Sequence, residues 1–276
     1  MPAPLCDTRR MPTSLLSAFA IADYVIAAVL LALPIARLPA PARGIALLLA
    51  TLAAAVHATL IFGMHRGGLD LHFFAALSLA GFGVAALTLL VNLFRPVAGL
   101  GVIVFPLAAA LLAVDVYVAP ETRPQPLEWQ ITLHAGFALL AYSLLSIAAL
   151  LAILLALQER ALRRRAFDSG LIRALPPLTL TEALMFRLIA AGFAFLTLTL
   201  VSGVLFVDDL FAQHLVHKTV LSIASWLVFG LLLFGRWRWG WRGRRAVRLT
   251  LIGMAVLLLA FFGSKFVLEL VLKKGV

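Results

Sequence analysis

Charge is scarce in this chain. Asp, Glu, Lys and Arg make up 13% of its 276 residues and 63% are hydrophobic, whereas about a quarter of a soluble domain is charged. Mean hydropathy is +1.08. So little polar surface excludes a water-soluble globular domain. Cysteine is nearly missing too. Cys6 stands alone, which excludes an internal disulfide, and no CxxCH is present to attach a c-type haem covalently. The period-2 alternation of barrel strands is lacking. So are a Walker motif, a Ser/His/Asp set and a chain of intramembrane acids, so nothing points to an enzyme. The spans repeat at no fixed period.

Long apolar runs are what the chain does have. A helical span needs about 20 apolar residues. Eight runs qualify: 14–36, 44–63, 71–94, 97–118, 134–159, 186–207, 217–235 and 247–272. The expected fold is an all-α membrane protein, a polytopic bundle of eight transmembrane helices. Residues 14–272 form its single domain, behind a tail of residues 1–13. Met11 is an alternative start, and Arg9-Arg10 before an apolar run gives a rival signal-peptide reading. Pro106 marks a kink site in the fourth span. In the long loop, the fifth helix continues past the bilayer and breaks at Pro176-Pro177. Thr179-x-x-Glu182 then fits a capping box that restarts a helix.

The formal net charge is +11. In a soluble protein that would suggest nucleic acid, but here the basic residues lie between spans. Fifteen of the 23 Lys and Arg fall in the loops after the first, third, fifth and seventh spans, mostly in 160–187 and 236–248. The positive-inside rule places these loops in the cytoplasm and both termini outside. The run RWRWGWRGRR (residues 236–245) interleaves Trp237, Trp239 and Trp241 with arginines. At the end of a span this reads as anchoring to an interface with anionic lipid, rather than as stacking on bases.

This orientation collects the histidines on the outer side. His65, His72, His134, His214 and His217 lie at or near outer ends, and His57 lies six residues, roughly 9 Å, below one. Neutral imidazole is a ligand for haem iron, zinc and copper. His134 opens the fifth span and shares a helix face with Ala138 and Tyr142, four residues apart. Paired haem ligands need two rings at one depth; His134 with His217 meets that condition, and His57 with His134 comes close. Each also has a plainer reading as a hydrogen-bonded core residue. His214-x-x-His217, with Asp208 and Asp209 upstream, has the spacing of a divalent-metal site or of a solvated loop. Asp23 and Asp115 are intramembrane carboxylates. Lys265 and Glu269 form an i, i+4 pair at the last rim.

Three strings together resemble the cytochrome c assembly family: LPPLTLTEALMFRLIAAGFAFLTLTLVSGVLF, HKTVLSIASWLVFGLLLFGRWRWGWRGRRA and IGMAVLLLAFFGSKFVLELVL. That family includes the CcsA and CcmC haem-handling proteins. The similarity is to its YpjD-like inner-membrane branch, with HemX a relative, and it covers about residues 130–272. It implies a bundle that handles haem on the outer side, with His134 where members have an outer haem-ligating histidine and Tyr142 matching the tyrosine that follows. His57 matches a histidine of the early helices.

The departures from the family pattern are specific. Members that present haem carry a Trp-rich WGxxW…WD-type segment after the sixth span. Here that segment reads VDDLFAQHLVHKTVLSIASW, and only Lys218, Thr219 and Trp226 keep the register. Phe234 and Gly235 stand where a histidine precedes the basic turn, and Phe266 to Glu269 replace a C-terminal outer histidine. The implied function is binding or handling of haem, as cofactor or cargo, without lyase turnover. The implied location is the bacterial inner membrane. Expected partners are the lipid bilayer, haem and other cytochrome c biogenesis or haem-metabolism proteins, and no nucleic acid. Alternatives are a HemX-like regulatory scaffold acting through residues 158–185, and a metal-ion transporter or effector.

Overall fold

A computed structural model describes residues 10–32, 40–64, 72–94, 97–119, 128–163, 177–206 and 216–263. Among these the fold is entirely helical, and eight helices are long and apolar enough to cross a membrane. They are α1 (Arg10–Ala32), α2 (Ala40–Met64), α3 (Phe73–Phe94), α4 (Gly101–Tyr117), α5 (Trp129–Arg163), α6 (Leu178–Phe206), α7 (Val216–Trp239) and α8 (Arg244–Leu258). A 3₁₀ turn, Ala98–Leu100, leads into α4, and a π turn, Leu259–Gly263, continues α8. Pro106 lies inside α4. His65, Asp208, Asp209, His214, Lys265, Glu269 and residues 164–176 fall outside the described residues, as does Cys6.

Neighbouring helices pack in two groups. Helices α1 to α4 contact one another, as do α5 to α8, and α3 against α5 joins the groups. Without a hydrophobic drive inside lipid, close backbone approach through small residues takes over. A Cβ at Gly192 would lie 2.7 Å from Leu145 Cγ, so α6 presses directly on α5. A Cβ at Gly253 would lie 2.9 Å from the Phe229 ring, which closes α8 on α7. Ser225 Oγ adds a hydrogen bond to Gly253 O at 2.9 Å. Trp226 stacks on Phe193, with centroids 5.4 Å apart, and donates its indole N–H to Thr197 Oγ1 at 2.9 Å.

Two boundaries differ from expectation. The fifth helix begins at Trp129 rather than 134, because Trp129-Gln130-Ile131-Thr132 adds a helical, partly polar turn above the apolar run. The sixth is one helix from Leu178. Pro177 O accepts the N–H groups of Leu180 and Thr181, so the helix starts directly after the proline. The capping box is therefore corrected: Thr179 is inside the first turn, and the Glu182 carboxylate turns away from it. Glu182 Oε1 accepts the Gly243 N–H at 3.0 Å, and Oε2 accepts from Arg242 at 3.0 Å. This buried carboxylate ties the start of α6 to the α7–α8 turn. That turn needs glycine at Gly243, whose φ of 55° is left-handed.

Candidate functional site

The two ends of the bundle differ chemically. At one end lie Arg160 and Arg163 of α5, the α7–α8 turn and the start of α6. The chain reverses at each span, so the opposite end holds the start of α5, the end of α6 and the start of α7. His134 and His217 belong to that opposite end.

His134 lies five residues into α5, about 7.5 Å along its axis. Its ring rests on α6, where the Gly203 position would put a Cβ only 3.4 Å from Cε1. Nδ1 is 2.9 Å from Ser202 Oγ. Ser202 in turn donates its hydroxyl proton to Thr199 O at 3.0 Å. When Ser202 gives its proton to Thr199 O, its Oγ accepts from His134 Nδ1–H, and the ring's lone pair then lies on Nε2. Histidines that bind metals have this arrangement, with the non-ligating nitrogen held by a second group. Further out along the same two helices, Trp129 and Phe206 meet edge to face at 5.8 Å.

The other candidates are placed differently. His57 is fully buried on α2. Its Nε2 is 3.1 Å from Ser78 Oγ and its Nδ1 3.5 Å from Tyr24 Oη. Phe82 packs edge-on at 5.6 Å, and Tyr24 itself stacks on Phe105 at 6.0 Å. Both ring nitrogens face polar partners from α1 and α3, and none of them belongs to the α5–α6 site. His57 thus has the surroundings of the plainer reading, a hydrogen-bonded core residue of the first four helices. Tyr142 shares a face of α5 with His134 but touches another helix. It donates its hydroxyl to Leu257 O, where α8 gives way to the π turn, and its ring packs on Phe261 and Phe262. His217 is exposed on the first turn of α7, at the end that holds His134.

Asp23 is half-buried in α1. Among the described residues no group of three His, Cys, Asp or Glu side chains is placed to hold a metal ion. Sequence reading missed Ser202, Gly203, Trp129 and Phe206. The available signal was the Ser-Gly pair near the end of an apolar helix, since hydroxyls there bond across helices.

The family model described as Cytochrome C assembly protein matches residues 42–272. The chain is 39% identical over 138 residues to Inner membrane protein YpjD of Escherichia coli K12, covering 50% of this chain and 52% of that protein. It is 40% identical over 144 residues to an uncharacterized 28.8 kDa protein of Azospirillum brasilense, covering 51% and 53%. With Cytochrome c biogenesis protein CcsA of Parasynechococcus marenigrum it shares 25% over 187 residues, covering 60% and 61%. The chain thus spans between half and two-thirds of the length of these relatives. No solved structure matches it.

Proposed function

The chain belongs to the cytochrome c assembly family, and from that premise we propose that it is an inner-membrane protein that binds haem at its histidine end and passes it on without lyase turnover. The observation that carries this reading is the contact of His134 Nδ1 with Ser202 Oγ at 2.9 Å, which in the Nδ1–H tautomer puts the lone pair on Nε2. His134 would hold the iron, Trp129 and Phe206 would flank the porphyrin, and exposed His217 is the candidate for a second ligand. When bound, the haem supplies an iron centre for transfer to an apoprotein. The chain's own work is to orient the ring and offer apolar cover.

The location rests on the same division of ends. Fifteen of 23 basic residues lie in alternate loops, which supports a cytoplasmic basic end and an outer histidine end. The relatives' names, an inner-membrane protein and a cytochrome c biogenesis protein, agree with that location and role. The test is haem titration of the purified chain in detergent, followed by its Soret band. Wild type and His57→Ala should develop the band of imidazole-bound haem, and His134→Ala should not. Equal bands in all three would sink the proposal.

A further inference from the structure

The opposite end of the bundle carries a second built feature, independent of haem. Ala156, Glu159, Arg160 and Arg163 follow one face of α5 at i, i+3, i+4 and i+7. Arg244, Val247, Arg248 and Leu251 repeat that spacing on α8. The two faces meet across a cleft of about 540 Å³ lined by these residues. Its rim holds four exposed arginines and a single acid, Glu159. The floor is apolar: Ala156, Val247 and Leu251. Arg242 of the neighbouring turn pairs with Glu182, whereas none of the four rim arginines forms an ion pair with a carboxylate among the described residues. Four guanidinium groups around one cleft repel one another unless an anion joins them.

We infer that this cleft binds the phosphate of an anionic phospholipid from the leaflet at the basic end. Arginine forks hold phosphate oxygens by paired charge-assisted hydrogen bonds. Basic pockets between spans at this depth suit lipid head groups. Free phosphate would use the rim alone. A lipid also uses the apolar floor, and its chains can run along the exposed Ile153 and Ile252 beside the cleft. Exposed Trp237 and Trp239 place this end at an interface.

The experiment is native mass spectrometry of the full chain released from detergent with added phosphatidylglycerol or phosphatidylcholine. Phosphatidylglycerol should be retained in preference. Arg160→Gln with Arg244→Gln should lower that preference roughly tenfold to thirtyfold, at about 1 kcal/mol per arginine. Arg163→Gln with Arg248→Gln, an independent pair, should do the same. Arg43→Gln with Arg187→Gln, at the same end but outside both the cleft and the Trp-Arg run, should leave most of it. Equal retention of the two lipids, or equal loss in the outside pair, would overturn the site. Displacement of phosphatidylglycerol by an equal concentration of inorganic phosphate would overturn the lipid assignment.

Discussion

Glu182 offers a prediction whose size can be worked from its contacts. Its carboxylate is 7% exposed and accepts from a backbone N–H of the α7–α8 turn, while Arg242 is 59% exposed. A hydrogen bond to a charged group contributes about 1.5–3 kcal/mol. The Arg242 pair, largely in solvent, adds only about 0.2–1 kcal/mol. Glu182→Ala should therefore cost about 2–4 kcal/mol, because the Gly243 N–H is left without its acceptor. Glu182→Gln keeps a carbonyl for that N–H and should cost only about 1–2 kcal/mol. Arg242→Ala should cost no more than about 1 kcal/mol. SDS unfolding in mixed micelles, read by tryptophan fluorescence, measures all three, since Trp241 packs on Gly235 in the same turn. If Gln is as damaging as Ala, or Arg242→Ala exceeds Glu182→Ala, the backbone acceptor role is wrong.

Three further outcomes follow from the packing. Gly243→Ala should lose about 1–2 kcal/mol in the same unfolding assay, since its φ of 55° disfavours an L side chain and a Cβ would lie 3.0 Å from Glu159 Oε1. His57→Ala should cost about 2–4 kcal/mol by emptying a fully enclosed site, yet leave haem affinity unchanged in a titration. Ser202→Ala should weaken haem binding about tenfold to a hundredfold, as losing the group that orients a ligating histidine does. An unchanged affinity in that variant would remove the relay from the account.

How much of this was legible beforehand differs between fold and site. The spans were, because length and hydropathy are local properties: α2, α3 and α7 begin and end within a few residues of their apolar runs. Glu182 misled because its spacing from Thr179 is a local signal, while its backbone partner lies 61 residues on in the α7–α8 turn. His134 stood out in the sequence by its place in an apolar helix. What distinguishes it from His57 was not visible, because that depends on neighbours from other helices. Tyr24 and Ser78 close around both nitrogens of His57, whereas Ser202 engages Nδ1 of His134. Tyr142 shows the same lesson in reverse. Its four-residue spacing from His134 is real, but its hydroxyl is taken by Leu257 O of α8.

The most direct test of the haem assignment is chemical rescue at the ligand itself. His134→Gly removes the imidazole and leaves the Ser202 side of the site in place. The Soret band of the haem-loaded protein should vanish in this variant and return when free imidazole is added, to the position seen in wild type. A band that survives the substitution, or a lost band that imidazole does not restore, would show that His134 does not bind the iron.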